Sequence, residues 1–572
     1  MDRSQLAQLL SELGLYMDLL GENPFKVRAY QNASRTIEGF EGDLDEAVKS
    51  GTISDVKGIG PAIKEKIEEF YKTGEISEHD KLQKKIDPGC LELLKIPGLG
   101  PRKVRTLNEE LQIKSIGELE YACRENRLLK LDGFGEKTQS KILKNIEFLK
   151  KFQNSFLYGD ALLEASLLVG FLKRLKDVEA VEVGGSLRRK KEIVHDIDIV
   201  VAASGKTDSI MKKFAEHPSV ESVTGSGDTK TSVVLKNGMA CDLRVVTPAE
   251  FPYALLYFTG NKDLNTSMRQ IAKDKGLKLN EYGLFKGEKN LPCKSEEEIF
   301  EKLGLKYIEP ELRENMGEIE AAKTDRLPVL VERRQIKGIF HCHTTQSDGA
   351  NTLEEMVAGA QNLGFEYIGI SDHSKTAAYA GGLKKEQVLD QFEKITSLQK
   401  KFKIKIFRGI ESDILHGGDL DYDDALLKKF DFVIGSVHSS FQMPQDQMNQ
   451  RVLKAFKNPY LDFLGHPTGR LLLAREGFQI DMHLVISEAA KCGVIIELNA
   501  SPQRLDMDWR LGKFLKEKKA RVSINPDAHS VAGLEDVEFG VGIARKAWLG
   551  AENIINTLPA DKVLSALRRA KH

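Results

Sequence analysis

The sequence predicts a multidomain chain with a helical N-terminal region, a mixed α/β region and a C-terminal parallel barrel of seven strand–helix units. Its 572 residues exceed what one hydrophobic core organises, so three or more domains are expected. A Gly-x-Gly motif occurs three times before residue 150, and nine of the twelve histidines lie beyond residue 340. These two observations indicate that the ends of the chain carry different chemistry.

The composition is typical of a water-soluble globular protein. Hydrophobic residues make up 41% and charged residues 30%, and the net charge of −1 gives no bulk indication of nucleic-acid binding. No stretch approaches the ~18 apolar residues of a membrane span, and the N-terminus lacks the layout of a signal peptide. We therefore expect a cytoplasmic protein without membrane association. The six cysteines lack CxxC spacing, which argues against disulfides and zinc fingers.

Residues 1–150 show helical periodicity, and within them an apolar residue, a Gly-x-Gly turn and a helix recur three times, at 56–67, 94–107 and 129–143. The glycine pairs are Gly58 with Gly60, Gly98 with Gly100, and Gly133 with Gly135. Such a turn lets the backbone approach closely, and the helix start offers N–H groups to a phosphate without reading sequence. The repeat predicts helix-hairpin-helix DNA binding. The alternative is a helical bundle joined by glycine turns.

Residues 151–316 change to strand-like runs interleaved with helices. Asp196 and Asp198 are two residues apart on one predicted strand, so both carboxylates face the same side, and Asp242 lies in a second apolar run. Three acids on adjacent strands can hold two Mg²⁺ ions about 3.5–4 Å apart for phosphoryl transfer. The alternative is an exposed strand with solvated acids.

A small-residue turn precedes these acids. Gly184, Gly185 and Ser186 offer backbone N–H groups to triphosphate oxygens, and Arg188 and Arg189 add positive charge beside them. The turn and the acids together predict a nucleotide-binding site.

The segment 314–335 carries many charges and no clear core face, so we expect an interdomain linker that ends near residue 335. From residue 336 onward, seven short β-rich runs alternate with helical segments. This rhythm predicts a parallel barrel.

Every predicted barrel strand but one ends in a potential metal ligand. The nine ligands are His341, His343, Asp348, His373, Glu411, His438, His466, Asp527 and His529. Because strand C-termini of a parallel barrel converge on one mouth, these groups should meet. Mixed imidazole and carboxylate ligands favour Mn²⁺, Zn²⁺ or Fe²⁺, and two or three ions would activate a water for phosphodiester attack. His416, His483 and His572 fall outside the pattern and are expected to be surface or packing residues.

The motifs of the α/β region resemble the family X DNA polymerases, the group of DNA polymerase beta. GGSLRR, HDIDIV, CDLRVV and YFTGNKDLN stand in that order. The resemblance implies that Asp196 and Asp198 bind both metals, and that Asp242 binds the catalytic metal and accepts the proton of the primer 3′-OH. It also implies nucleotide contacts at Gly185, Ser186, Arg189, Tyr257, Phe258, Thr259, Gly260 and Asn265, and a template contact at Arg269. For Tyr257 and Phe258 the alternative is core packing.

The N-terminal runs FKVRAY and GIGPAIKEKI resemble the lyase domain of polymerase beta. The resemblance implies that Lys26 and Tyr30 hold a 5′-phosphate, and that Lys66 is a catalytic residue that forms a Schiff base with an abasic sugar. This sequence departs from the family at Ala62, where a lysine of the phosphate pocket is expected.

The C-terminal runs HCH, SDH, SVH, GHP and DAH resemble the PHP domain, and a PHP domain joined to a family X polymerase is the architecture of the bacterial family X DNA polymerases. The resemblance covers essentially the whole chain. It implies a monomeric DNA polymerase that fills short gaps in base excision repair, with Mg²⁺ at the polymerase site. It further implies a 3′–5′ exonuclease with two or three Mn²⁺ or Zn²⁺ ions and abasic-site or 3′-end processing. The partners would be gapped or nicked duplex DNA and deoxynucleoside triphosphates.

These motifs divide the chain into six predicted segments. They are a lyase-like domain at 1–88, a helix-hairpin-helix subdomain at 89–150, a nucleotidyltransferase palm at 151–248, a nucleotide-selecting subdomain or thumb at 249–316, a linker at 317–335 and the PHP barrel at 336–572. Three other functions stay open: a DNA-end scaffold with inactive sites, a PHP small-molecule phosphatase fused to a nucleotidyltransferase, and a template-independent nucleotidyltransferase. The repeated DNA-binding motif argues against the phosphatase, and the complete ligand sets argue against the scaffold.

Overall fold

The computed structural model describes residues 3–40, 44–56, 58–151, 154–205 and 207–571. The chain divides into two compact units, Met1–Gln153 and Asn154–His572. Among the helices so described, none combines the length and the apolar character that crossing a bilayer requires.

The N-terminal unit is helical and has one apolar core of its own. Its α-helices are α1 (Arg3–Leu19), α2 (Pro24–Glu38), α3 (Leu44–Lys49), α4 (Pro61–Thr73), α5 (Ser77–Gln83), α6 (Pro88–Leu93), α7 (Pro101–Leu111), α8 (Ile116–Arg124) and α9 (Glu136–Lys151). The prediction of a helical region is confirmed.

The three Gly-x-Gly motifs of this unit share one geometry. Gly58, Gly98 and Gly133 have φ values of 100°, 87° and 79°, a left-handed conformation that favours glycine. The second glycine of each motif immediately precedes α4, α7 or α9. At Gly60 and Gly100 no side chain caps the helix start, so its backbone N–H groups stay available to an anion.

The second unit begins with a palm whose elements are β1 (Phe156–Leu157), α10 (Tyr158–Leu172), β2 (Val178–Val183), α11 (Gly185–Arg188), β3 (Ile193–Val194), β4 (Asp196–Ala203), α12 (Thr207–Ala215), β5 (Val220–Ser226), β6 (Lys230–Leu235) and β7 (Ala240–Val246). The main sheet has the order β2-β4-β7-β6-β5. Strands β4 and β7 are parallel neighbours, and this pairing sets their acidic residues side by side.

The thumb follows. Its elements are α13 (Phe251–Thr259), α14 (Lys262–Asp274), β8 (Lys278–Asn280), β9 (Gly283–Lys286), β10 (Lys289–Asn290), α15 (Glu296–Lys302) and α16 (Glu318–Lys323). Its three strands form an antiparallel sheet of order β10-β9-β8 over a separate apolar core.

The segment 314–335 has a buried face, so the expectation that it has none is wrong. Ile319, Ala322 and Leu330 belong to the apolar core of the thumb. The fully buried carboxylate of Glu318 accepts the backbone N–H groups of Asn315 and Met316. The apolar residues of this segment are separated by charged residues and do not recur with a helical or strand period, so the sequence pattern does not reveal the buried side.

The C-terminal part contains β11 (Gly338–Ile339), α17 (Leu353–Asn362), β12 (Tyr367–Ile370), α18 (Lys385–Leu398), β13 (Lys405–Arg408), β14 (Glu411–Asp413), α19 (Asp424–Leu427), β15 (Ile434–Ser436), α20 (Gln445–Ala455), β16 (Phe463–Leu464), α21 (Met482–Cys492), β17 (Ile495–Asn499), α22 (Gly512–Lys518), β18 (Val522–Asn525), α23 (Val537–Lys546) and α24 (Ala560–Val563).

These strands form the predicted parallel barrel. Strands β13 and β14 are the two halves of one predicted strand, so the barrel has seven strands in chain order. A parallel bridge between Cys342 and Ala528 joins the first strand to the last. Aromatic side chains from five successive strands pack inside as a solid core, namely Phe340, Tyr367, Phe407, Phe432 and Phe463.

Candidate active sites

Three carboxylates meet on the palm sheet. Asp198 on β4 is the register partner of Asp242 on β7, and Asp196 lies two residues before Asp198. Burial, together with Asp196 and Asp242, raises the pKa of Asp198 to about 7. Lys230 Nζ on β6 lies 2.5 Å from Asp242 Oδ2. Because mutually repelling carboxylates call for cations between them, this set of ligands fits divalent metal ions.

The glycine turn that precedes these acids brings its backbone against the side chain of Asp198. Gly185 has a φ of 57°, and a Cβ atom there would lie 2.2 Å from Asp198 Oδ2. The backbone N–H of Gly184 donates to Asp198 O over 2.7 Å. Only a glycine at position 185 lets the backbone of α11 come this close to the carboxylate.

A cleft of about 490 Å³ opens beside the acids and collects most of the predicted residues. It is lined by Gly185, Ser186, Arg189, Asp196, Asp198, Tyr257, Phe258, Thr259, Gly260, Asn265 and Arg269. Asn265 Nδ2 donates to Tyr257 O over 2.7 Å, which holds the amide at the wall of the cleft. The expected nucleotide and template contacts stay predictions.

Arg188 and Arg189, both expected to add positive charge beside the triphosphate, have different partners. Arg189 lines the cleft, while its Nε donates to Glu314 Oε1 over 3.0 Å. Arg188 was expected to add charge beside it, but its guanidinium pairs with the buried Glu296 at 2.6 Å. The reason is that successive residues at the end of α11 project in different directions, so of these two arginines only Arg189 faces the cleft. The sequence analysis missed both glutamates, because each lies more than 100 residues away.

The nine predicted ligands of the barrel converge at the C-terminal ends of its strands. Their ligand atoms form three overlapping groups within 4.8 Å: His343, Asp348, His373 and His529; His341, His343 and Asp527; and His373, Glu411 and His438. His466 joins the cluster, with Nε2 2.9 Å from Glu411 Oε1. Asp348 and His529 are the more exposed members and mark the open side. His416 and His483 are exposed outside the cluster, and His572 lies outside the described residues.

The electrostatics of this cluster fit metal ions. Among the described residues, His341 Nε2, both ring nitrogens of His343 and Glu411 Oε2 are buried without a hydrogen-bond partner. Burial and His373 lower the pKa of His343 to about 3, so its imidazole is neutral, the form that binds a metal. Burial raises the pKa of Glu411, but the surrounding imidazoles outweigh it and hold that pKa well below its usual range.

Buried acids behind the cluster orient its histidines, and the sequence analysis missed them. Glu497 on β17 lies 2.7 Å from His341 Nδ1 and accepts the backbone N–H of His466 over 2.7 Å. Asp413 lies 2.6 Å from His438 Nδ1. Such partners fix the orientation of a metal-binding imidazole. The available signal was one acid in the apolar run VIIELN, which is the strand without a predicted ligand.

The predicted lyase residues of the N-terminal unit surround a carboxylate. Glu78 lies 3.0 Å from Lys66 Nζ and 3.8 Å from Lys26 Nζ. Burial, with Glu78 and Glu65, raises the pKa of Tyr30 to about 12. Lys26, Tyr30 and Lys66 therefore lie close together as predicted for a phosphate pocket. The Glu78 carboxylate, however, lies against the two lysines where a 5′-phosphate was expected to bind.

Four protein-family models match the chain. They are a helix-hairpin-helix domain over residues 1–76, a SAM-like helix-hairpin-helix tandem over 91–147, the DNA polymerase beta thumb over 254–314 and the PHP domain over 340–501. Their order along the chain is the order of the predicted motifs.

Known proteins match the whole chain or parts of it. "DNA polymerase/3'-5' exonuclease PolX" of Bacillus subtilis is 37% identical over 576 residues and 100% of both chains. A "Probable phosphatase" of Thermoanaerobacter is 28% identical over 40% of this chain and 94% of its own. A ternary-complex structure of Leishmania infantum polymerase beta covers 40% of this chain and 98% of that one at 23% identity, with a TM-score of 0.27. The full-length match shows that the chain belongs to the bacterial family X DNA polymerases, which join a polymerase beta-like core to a C-terminal PHP domain.

Proposed function

We propose that the chain is a DNA-directed DNA polymerase that fills short gaps in DNA repair and carries a 3′–5′ exonuclease in its PHP domain. The observation that carries this proposal is the presence of two separate ligand clusters in one compact unit, a carboxylate triad on the palm and nine imidazoles and carboxylates at the barrel mouth. The full-length relative is named for both activities.

At the palm, Asp196, Asp198 and Asp242 would hold Mg²⁺, which supplies charge stabilisation for phosphoryl transfer when bound. Asp242 accepts the proton from the primer 3′-OH. The backbone at Gly185 and Ser186 and the guanidinium of Arg189 bind the triphosphate. Tyr257, Phe258 and Gly260 lie against the nucleotide sugar, Asn265 contacts the base and Arg269 contacts the template. All of these residues except Asp242 line one cleft, and Asp242 is the register partner of Asp198, which supports this assignment.

At the barrel mouth, the nine ligands would hold two or three Mn²⁺ or Zn²⁺ ions, which lower the pKa of a bound water when present. Glu497 and Asp413 keep the imidazoles of His341 and His438 oriented. The open side at Asp348 and His529 admits the 3′-terminal phosphodiester.

The three glycine turns bind the phosphates of gapped or nicked DNA, and the protein acts as a cytoplasmic monomer. Its domains follow the segments predicted from the sequence, except that residues 317–335 pack onto the thumb core. The barrel site also trims abasic sites and blocked 3′ ends. The orphan backbone N–H groups at Gly60 and Gly100 support the DNA contact.

Lyase chemistry at Lys66 needs an unprotonated amine, whereas Lys66 is ion-paired with Glu78. We therefore propose that Lys66 mainly helps to bind phosphate. Borohydride trapping on a 5′-abasic end tests this assignment, and a covalent adduct lost in Lys66→Ala would instead establish the lyase.

The two-site proposal is tested on a primer-extension gel with Mg²⁺ or Mn²⁺, with and without nucleotides. The double change Asp196→Ala with Asp198→Ala should abolish extension and preserve degradation. His341→Ala or Asp527→Ala should do the reverse. Loss of both activities from either change would contradict two independent sites.

Parallel substrates separate the other functions. Hydrolysis of p-nitrophenyl phosphate without DNA degradation would indicate a small-molecule phosphatase. Extension of single strands as efficiently as of primed templates would indicate a template-independent transferase. Binding of DNA ends without either reaction would indicate a scaffold.

A further inference from the structure

Helix α23 of the PHP barrel contacts the palm segment 189–192, which directly follows the glycine turn of the polymerase site. Lys546 Nζ, at the end of α23, donates to Arg189 O over 3.0 Å. Trp509 Nε1, also from the barrel, donates to Glu192 Oε2 over 3.1 Å. Two side chains of the nuclease domain thus hold the backbone and a side chain beside the nucleotide cleft.

This contact is close and well packed. A Cβ atom at Gly542 of α23 would lie 2.7 Å from Lys190 Cδ, so the helix lies directly against the Lys190 side chain of the palm. Lys546 Nζ sits 4.5 Å from the centre of the Trp509 ring, which adds a cation–π contact to its hydrogen bonds. The ammonium group is therefore held in one place.

Three buried charges meet at this contact. Glu314 Oε1 accepts from Arg189 Nε over 3.0 Å and from Lys546 Nζ over 2.5 Å. The side chains of Lys546, Glu314 and Arg189 are 0%, 8% and 10% exposed. Two positive charges share one negative charge, so these three side chains together carry a net charge of +1, with the carboxylate of Glu192 nearby.

We propose that Lys546 is a positioning residue for nucleotide binding, a role of the PHP domain in the polymerase reaction. Because Lys546 shares the Glu314 carboxylate with Arg189, the Arg189 guanidinium keeps positive charge that Glu314 does not fully neutralise and that can attract the triphosphate. This inference rests on the proposed role of Arg189 as a triphosphate contact.

Loss of the Lys546 ammonium group would change the balance of charge around Arg189. Without Lys546, Glu314 and Arg189 neutralise each other, and the carboxylate competes with the triphosphate for the guanidinium. Loss of one charge-assisted interaction corresponds to a rise of about tenfold or more in the KM for nucleotide. The value of kcat should stay within about twofold, because the acids and the primer end are untouched.

The test uses the full-length protein on a primed template, with nucleotide KM, kcat and exonuclease rate measured for each variant. Lys546→Met should raise the KM for nucleotide and leave the exonuclease rate unchanged. The double variant Lys546→Met with Glu314→Gln restores the net charge of +1 and should return KM to near the wild-type value. Lys513→Met is the matched control, because Lys513 is another barrel lysine that contacts the polymerase side, at Met316 O.

The rescue separates a charge role from a purely structural one. An unchanged KM in Lys546→Met, or a folded double variant whose KM stays high, would overturn the inference. If Lys546→Met alone does not fold, the double variant decides, because it removes the lysine together with the carboxylate that would otherwise pair with Arg189. Failure of the wild-type protein to extend any primer would instead refute the proposed function, and the inference with it.

Discussion

Replacing Gly185 by alanine tests whether the glycine turn and the palm acids form one site. The new Cβ atom would lie 2.2 Å from Asp198 Oδ2, while Cβ atoms essentially never approach other atoms closer than 3.0 Å. The carboxylate must therefore recede by about 0.8 Å. A misplacement of about 1 Å in a catalytic group can cost about 100-fold in rate. The left-handed φ of 57° adds a backbone cost of about 1–2 kcal/mol to folding.

We therefore expect Gly185→Ala to lower kcat for nucleotide addition about 100-fold and to leave 3′–5′ degradation unchanged. Single-turnover primer extension measures the first, and degradation of the same primer without nucleotides measures the second. Gly238→Ala is the matched control. Gly238 also has a positive φ, 85°, but a Cβ atom there would have no neighbour within 4 Å.

The control separates the collision from the backbone strain. Gly238→Ala should lose stability by a similar amount and keep its extension rate. If Gly185→Ala extended primers within about threefold of the wild-type rate, the claim that this turn determines the place of Asp198 would be refuted. An equal loss of extension in the two variants would assign the effect to strain alone.

Three further predictions concern the barrel. Glu497→Gln should weaken Mn²⁺ binding and slow the exonuclease about 10–100-fold, because His341 loses its orienting carboxylate, and calorimetric Mn²⁺ titration measures the affinity. Adding Mn²⁺ to chelator-treated protein at about 100 times its Kd should raise the free energy of unfolding by about 2.7 kcal/mol, and a melting curve unmoved by Mn²⁺ would contradict the cluster as a metal site. Arg569→Met should cost about 3 kcal/mol at pH 8, because it leaves the buried carboxylate of Asp462 unpaired. Burial raises the pKa of Asp462 from 3.8 to about 6. Protonation of Asp462 therefore stabilises the folded state, and this contribution to the free energy of unfolding is fully present below about pH 3.8 and is lost as pH rises through about 6. The substitution should therefore cost less at pH 5 than at pH 8 in urea unfolding, and equal losses would count against the pairing.

The chemistry that depends on short spacing was predictable from the sequence. Two acids two residues apart on a strand share a face, and a ligand that follows an apolar run lies at a strand end. For that reason Asp196 and Asp198 line one cleft, and the histidines of HCH lie in one cluster. The glycine repeats were equally readable, because a left-handed turn strongly favours glycine.

Features set by distant neighbours were not predictable. The buried side of 314–335 depends on the thumb core, and the direction of Arg188 depends on Glu296. Glu497 looked like an ordinary strand residue until the barrel brought it against His341, 156 residues away. Each of these residue types is compatible with several environments, so packing alone selects one.

By itself the sequence determined which side chains can bind metal ions and phosphates, because residue type and local spacing decide chemical capacity. Only the tertiary structure decided which carboxylate stands behind which histidine, and that Lys546 reaches Arg189 across 357 residues of chain. The physical reason is that the strength of a charge depends on its burial and its partners. Both are created only when separate elements pack together.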